Sequence, residues 1–205
     1  MKRSIRSLAR ALRHTPDRVL HRWRRREAIR LLRERGLPRS VLFVCHGNIC
    51  RSPYAAAACV AALQEVRRPE VEVFSAGFIG PGRPSPPAAV RIAAERGLDL
   101  SDHRSETLTP ARVTQAEFVV VMDARQRRAV CRLFGLDPSN VIILGDLDPE
   151  PIDTRAIRDP INQPDAVFEA SYDRIDRCIR QLVEAQTSVS RNVIPLARLR
   201  AEEIL

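Results

Sequence analysis

The sequence predicts an α/β fold, in which a four-stranded parallel sheet is flanked by helices as in a Rossmann-like or flavodoxin-like three-layer sandwich. Short apolar stretches, too short for helices, alternate with helical segments along the chain. They occupy residues 41–45, 71–74, 118–122 and 141–144. Because strands that alternate with helices usually pair in parallel, we expect the ligand site at the carboxyl ends of these strands.

Capping residues mark the helices between the strands. Ser52 and Pro53 predict a helix start, with the serine as N-cap and the proline in the first turn. Asp123 is a second predicted N-cap, and Gly97 ends a helix that follows a proline-rich loop. Helices are therefore predicted at residues 55–66, 88–96, 124–134 and 166–184.

Composition limits the class of protein. The chain of 205 residues is long enough for one domain with a sizeable core. It has no run of about 18 apolar residues and no apolar stretch typical of a secretory signal. The five cysteines show neither a disulfide framework nor zinc-ligand spacing, which predicts a reducing cytoplasm. They are Cys45, Cys50, Cys59, Cys131 and Cys178.

The first 36 residues carry most of the positive charge. They hold 13 basic and 3 acidic side chains, whereas the whole chain has a net charge of +9. Two helices are predicted there, separated at Thr15-Pro16-Asp17, the second ending at Gly36. Leu20, Trp23 and Leu31 share one side among arginines, a pattern suited to an anionic membrane surface or an acidic partner. The alternative is a helix that packs its apolar side on the body of the protein. Nucleic acid is a partner that charge alone suggests, and we disfavour it.

These observations divide the chain into three parts. Residues 1–38 are predicted to form a basic amphipathic helical extension, and residues 39–185 the α/β domain. Residues 186–205 form a C-terminal tail to which we assign no function.

The segment between the first strand and its helix has the composition of an oxyanion-binding loop. Five residues separate Cys45 from Arg51, enough for the chain to wrap round a tetrahedral anion with its N–H groups inward. Those donors, Arg51 and the Ser52 hydroxyl would stabilise a Cys45 thiolate, the nucleophilic form of cysteine. The planar guanidinium of Arg51 can bind two phosphoryl oxygens.

Attack on a phosphomonoester also requires a general acid for the leaving oxygen. A loop rich in Asp and Pro, residues 145–164, lies at the same predicted end of the sheet. Its candidates are Asp146, Asp148, Asp153 and Asp159, among which composition alone does not choose.

Five motifs lie along residues 40–184: VLFVCHGNICRSP at 41–53, SAG at 75–77, SDHRS at 101–105, VVMD ending at Asp123, and Asp159-Pro160. Together they resemble the low-molecular-weight protein tyrosine phosphatase family. The resemblance implies that Cys45 forms a phosphocysteine, that Arg51 binds the phosphoryl group, and that Asp159 is the general acid and then the general base. It implies no metal or cofactor.

The resemblance also assigns the remaining site residues. Ser75 and His103 would support the loop through Asn48, and Cys50 would trap oxidised Cys45 as a disulfide. A small loop residue without a redox role is the alternative for Cys50. The substrate-binding set implied by the resemblance is His46, Gly47, Asn48, Ile49, Cys50 and Ser52.

Departures from the family pattern concern the substrate. Ile161-Asn162 stands where many relatives carry an aromatic pair, so this wall of the cleft is aliphatic and polar. Phe78 or Ile79 is expected to form the opposite wall. His46 at the rim could favour a dianion, and Ile49 favours phosphotyrosine over phosphoarginine.

Three alternatives compete with a phosphotyrosine phosphatase whose partner would be a bacterial tyrosine kinase controlling surface polysaccharide. A phosphoarginine phosphatase would use the same reaction. An arsenate reductase needs further cysteines near the loop, and Asp123 stands where a cysteine pair would begin. A non-catalytic phosphate-binding module would not need Cys45, Arg51, Ser52 and Asp159 together.

Overall fold

Strands and helices alternate along the chain as the sequence predicts. The computed structural model describes residues 2–36 and 38–187, with side chains from residue 15 onward; the predicted tail lies almost wholly outside the described residues. The helices are α1 (Lys2–Arg35), α2 (Arg51–Glu65), α3 (Pro87–Ala94), α4 (Pro110–Gln115), α5 (Ala124–Phe134) and α6 (Asp165–Thr187). The strands are β1 (Ser40–Cys45), β2 (Glu72–Gly77), β3 (Phe118–Val121) and β4 (Val141–Ile143).

The sheet is parallel throughout, in the order β2-β1-β3-β4. Side chains of β1 alternate between its two faces. Phe43 and Cys45 join the larger core, which α2 and α6 cover, and Leu42 and Val44 join a smaller core beneath α5. This arrangement confirms the predicted three-layer α/β fold and places the end of β1 at the centre of the carboxyl edge.

Helix α1 runs unbroken through Pro16, so the predicted pair of helices is wrong. A proline inside a helix removes one backbone hydrogen bond, but the leucines, alanines and arginines around it are strong helix formers. The packed face also differs from the predicted apolar side. Leu32 is fully buried in the larger core and His21 is nearly so, whereas Trp23 remains 64% exposed.

Several boundaries differ from the prediction. Helix α2 begins at Arg51, with Cys50 in the cap position, because the Ser52 hydroxyl bonds to Cys45 instead of capping the helix. The six-residue helix α4, capped by Thr109, was not predicted. The Asp123 carboxylate accepts from two N–H groups of the first turn of α5, as predicted.

Candidate active site

Cys45 is the last residue of β1 and lies at the floor of the following loop. Its side chain is buried, with 2% of the residue exposed. Its Sγ accepts hydrogen bonds from the backbone N–H of Asn48 at 3.2 Å and from the Ser52 hydroxyl at 3.1 Å. Two donors, one from the loop and one from the helix that follows it, therefore converge on this one sulfur.

Asn48 organises the loop from beneath. Its backbone is in the left-handed region, with φ 49°. Its Nδ2 donates to the hydroxyls of Ser52 and Ser75, each at 2.9 Å, and its Oδ1 accepts from the Glu106 N–H at 2.7 Å. Nε2 of His103 lies 2.7 Å from the Asn48 carbonyl oxygen and therefore carries the proton. The structure thus brings Ser75 and His103 together around Asn48.

The end of β2 supports the same loop by close backbone approach. Gly77 pairs with Cys45 in the sheet, and a Cβ added to it would lie 2.8 Å from the Asn48 nitrogen. Only glycine leaves room for the loop at this position. This fit explains why the SAG motif, the last three residues of β2, accompanies the loop in the sequence.

Arg51 connects the loop to the segment that carries Asp159. The residue is 4% exposed, and its Nη1 donates to the Ile157 carbonyl at 3.2 Å. Its Nη2 donates to the Asp159 carboxylate, whose side chain is 39% exposed. Among the described residues, Nε of Arg51 has no partner. Arg51 and Asp159 therefore meet at one cavity.

The other candidate acids are occupied elsewhere. Asp146 binds Arg155, and Asp148 is 1% exposed and binds Arg174 and Arg177. Asp153 is a solvent-exposed partner of an arginine on α1. Asp159 alone of the four lines the cavity that contains Cys45.

The cavity has a volume of about 210 Å³, and apolar side chains form part of its wall. Ile161 and Ile79 both line it, whereas Phe78 packs against the smaller core. Asn48 and Ser52, expected to bind substrate, are fully buried beneath the loop and do not line the cavity. The lining residues are Cys45, His46, Gly47, Ile49, Cys50, Arg51, Ile79, Arg83, Asp159 and Ile161.

Arg83 is a cavity residue that the sequence analysis missed. Its Nη2 donates to the Gly47 carbonyl at 2.6 Å and to the Ile79 carbonyl at 2.9 Å. Its Nε donates to the Gly80 carbonyl at 3.2 Å. The guanidinium thus joins the loop to the wall that carries Ile79. The available signal was an arginine set among glycines and prolines in GPGRP at 80–84.

The second cysteine of the loop, Cys50, is a buried thiol. Cys50 is 2% exposed, and burial, reinforced by nearby Cys45, raises the pKa of the Cys50 thiol to about 12. It is therefore protonated at neutral pH. All five cysteines are free thiols; four are buried, and Cys131 on α5 is partly exposed.

A cysteine sulfur held by loop donors, with an arginine and a carboxylate lining the same cavity, defines a cysteine-dependent phosphatase. The family model described as low molecular weight phosphotyrosine protein phosphatase matches residues 40–194. The chain belongs to this family. Helix α1 lies outside the matched residues.

The chain is similar to named phosphatases in sequence and to a solved phosphatase structure in fold. The probable low molecular weight protein-tyrosine-phosphatase EpsP of Ralstonia nicotianae is 37% identical over 141 residues, 68% of this chain and 90% of the relative. The protein-arginine-phosphatase of Geobacillus stearothermophilus is 31% identical over 157 residues, 72% of this chain and 96% of the relative. The crystal structure of the Erwinia amylovora tyrosine phosphatase AmsI superposes with a TM-score of 0.65 at 29% identity, covering 73% and 93% of the two chains.

None of the helices in the described part of the chain is both long and apolar enough to cross a bilayer.

Proposed function

We propose that this phosphatase hydrolyses phosphotyrosine in proteins through a phosphocysteine on Cys45. The observation that carries the proposal is the convergence of Cys45, Arg51 and Asp159 on one cavity with apolar walls. Two hydrogen-bond donors at 3.1–3.2 Å support the thiolate.

In the first step, Cys45 Sγ attacks phosphorus and forms the S–P bond as the P–O bond to the tyrosyl oxygen breaks. Asp159, protonated, gives its proton to that oxygen, so tyrosine leaves neutral. Arg51 exchanges Asp159 for two phosphoryl oxygens, and its unpartnered Nε–H is available for one of them. Loop N–H groups bind the remaining charge.

In the second step, water attacks the phosphocysteine. The Asp159 carboxylate accepts a proton from this water as the new P–O bond forms. The S–P bond breaks, inorganic phosphate leaves, and the Cys45 thiolate is restored with the Asn48 and Ser52 donors in place.

The cavity walls favour an aromatic phosphate ester. Ile79 and Ile161 offer apolar surface for a phenyl ring, and Ile49 adds no hydrogen-bonding side chain for a guanidinium. Arsenate reduction would need thiols to resolve a sulfur–arsenic adduct. Among the described residues, Cys50 is the only other cysteine that lines the cavity, which does not favour that reaction.

The central experiment uses the full chain in the presence of a chelator. It measures the hydrolysis of phosphotyrosine, the hydrolysis of phosphoarginine and the reduction of arsenate. We expect phosphotyrosine to be preferred, and Cys45→Ser to lower its hydrolysis at least about 10³-fold. Cys131→Ser, a thiol on the far helix α5, is the matched control and should retain activity. Activity that persists in Cys45→Ser would refute the mechanism, and a preference for phosphoarginine would reassign the substrate.

We further propose that the protein acts in the cytoplasm beside an anionic membrane surface, on a tyrosine-phosphorylated partner such as a bacterial tyrosine kinase. Helix α1 exposes Val19 (71%) and Trp23 (64%) next to the exposed side chains of Arg22 and Arg26. Apolar residues flanked by arginines suit the boundary between lipid headgroups and acyl chains.

Vesicle sedimentation tests this location. The full chain should bind vesicles rich in phosphatidylserine, lose that binding at high salt, and ignore neutral vesicles. The triple change Arg22→Glu, Trp23→Ala, Arg26→Glu should abolish binding without lowering hydrolysis of a small aryl phosphate. Equal binding by this variant would refute the membrane contact.

A further inference from the structure

Helix α1 packs against the segment that leads to Asp159, although it lies outside the family match. This segment, residues 148–159, contains no helix or strand. Among the described residues, one backbone hydrogen bond ties it to the end of β3, from the Ile157 N–H to the carbonyl of Met122, the residue after that strand, at 2.9 Å. Its position therefore depends on the side chains that bind its backbone.

Asp17 of α1 supplies one such anchor. Its Oδ2 accepts from the Arg155 N–H at 3.2 Å and from the Thr154 hydroxyl at 3.3 Å, and its Oδ1 accepts from Arg24 at 2.7 Å. Partial burial raises the pKa of Asp17, but the hydrogen bonds from Arg155 and Arg24 outweigh it and leave the pKa below its ordinary value. The carboxylate is thus held ionised against the segment.

His21, one turn further along α1, supplies a second anchor. The residue is 5% exposed, and its Nε2 lies 2.9 Å from the Asp148 carbonyl oxygen and 3.1 Å from that of Glu150. Because carbonyl oxygens only accept, Nε2 carries the proton. One imidazole therefore fixes the backbone on both sides of Pro149.

These anchors lie on the path to the catalytic acid. Asp17 holds the backbone at Arg155, two residues before Ile157, whose carbonyl accepts from Arg51. Asp159 follows two residues later and binds the same guanidinium. On the other side, Arg174 of α6 donates to the Thr154 and Ala156 carbonyls at 2.8 and 3.0 Å.

We propose that α1 positions the general acid, with Asp17 and His21 as positioning residues that hold the Asp159 segment at the distance needed for proton transfer. The proposal rests on the proposed function, because it requires Asp159 to protonate the leaving group. It assigns to this chain's own N-terminal helix a part in the reaction that the matched domain does not contain.

The test compares kcat/KM for an aryl phosphate with a poor leaving group, phenyl phosphate, and one with a good leaving group, 2,4-dinitrophenyl phosphate. Proton transfer is worth about 10²–10⁴ in rate for a poor leaving group. The paired alanine variant carries Asp17→Ala and His21→Ala together in the full chain. We expect its kcat/KM to fall about tenfold or more for phenyl phosphate and to change less than about twofold for the dinitrophenyl ester. Asp17→Asn, which keeps the acceptor oxygen, should recover much of the loss.

Glu27→Ala is the matched control, because this exposed carboxylate pairs with Arg30 of the same helix. It should leave both substrates unchanged. An equal loss on both substrates, or no loss on either, would overturn the positioning role. If the paired alanine variant does not fold, the single variants Asp17→Ala and His21→Ala are measured instead, and leaving-group selectivity equal to that of wild type in both would overturn it as well.

Asp159→Asn in the same assay separates this inference from the proposed function. It should show the full leaving-group selectivity expected of a missing acid. Absence of selectivity in Asp159→Asn would refute the acid assignment, whereas selectivity there without any in the α1 variants would refute the helix proposal alone.

Discussion

Arg51 donates a hydrogen bond from Nη2 to the Asp159 carboxylate, so these two charged groups neutralise each other. A phosphoryl dianion must compete with Asp159 for this guanidinium. The competition gives the acid two states: one paired with Arg51, and one released to face the leaving oxygen.

Asp159→Asn should therefore bind oxyanions more tightly while it hydrolyses poor leaving groups slowly. The change removes a negative charge and weakens the competing bond, and we expect inorganic phosphate to inhibit at about three- to tenfold lower concentration, or ~1 kcal/mol. Competitive inhibition constants measure the effect. Asp165→Asn, the same charge change on an exposed residue paired with Arg91, should leave the constant unchanged.

Arg83→Ala should raise KM for aryl phosphates about three- to tenfold, because it removes the donors to the Gly47 and Ile79 carbonyls and loosens both loop and wall. Arg83→Lys should raise KM less than Arg83→Ala does, because it keeps one donor group. The recovery should be only partial, since an ammonium cannot span the same carbonyls. Steady-state kinetics report the change. Arg104→Ala is the control: this exposed arginine bonds to the Ser101 and His103 carbonyls and does not line the cavity.

Closure of a Cys45–Cys50 disulfide after peroxide treatment should accelerate with pH. With the pKa of Cys50 at about 12, its thiolate fraction rises about tenfold for each pH unit between 7 and 9, and the thiolate is the attacking species. Mass spectrometry of samples quenched over time measures the rate. Cys50→Ser should fail to regain activity with dithiothreitol, whereas Cys59→Ser should recover. A rate independent of pH would exclude Cys50 as the resolving thiol.

Asp176→Asn should stabilise the protein at neutral pH. The Tyr54 hydroxyl donates to both Asp176 oxygens at 2.9 Å, yet burial, the larger effect, raises the pKa of Asp176 above its ordinary 3.8. The folded protein therefore holds this proton more tightly than the unfolded chain, and the resulting stability, complete below pH 3.8, is lost as the pH rises through the folded pKa.

Asparagine keeps an acceptor for Tyr54 without the buried charge. We expect the midpoint of thermal unfolding to rise by up to about 3 °C at pH 7, and the difference to disappear near pH 3.5. Asp173→Asn, an exposed partner of Arg96, should not stabilise. A gain that persists unchanged at low pH would contradict the electrostatic explanation.

The sheet and the phosphate loop could be predicted because their signals are local. The apolar stretches define the strands, and the spacing from Cys45 to Arg51 defines the loop. Asp159 came from the family resemblance, since four aspartates shared its loop and only tertiary contacts separate them. Arg83 was missed because its partners are backbone carbonyls, which leave no trace in residue type.

The N-terminal helix was predicted less well for a related reason. Thr15-Pro16-Asp17 has the composition of a helix start, but the Asp17 carboxylate bonds to Arg155 and Thr154, far away in sequence. The packed face contains His21 rather than Trp23 because backbone carbonyls of another loop face it. Such contacts cannot be read from periodicity.

The distribution of the five thiols has a consequence for chemical labelling. Cys45 lies buried at the floor of a cavity that holds a guanidinium, whereas Cys131 is partly exposed on α5. A small anionic alkylating reagent such as iodoacetate is drawn to the first by that guanidinium, whereas a neutral reagent such as iodoacetamide lacks this attraction and can also label the second. The charge of the reagent therefore sets how far labelling of the folded protein is confined to Cys45.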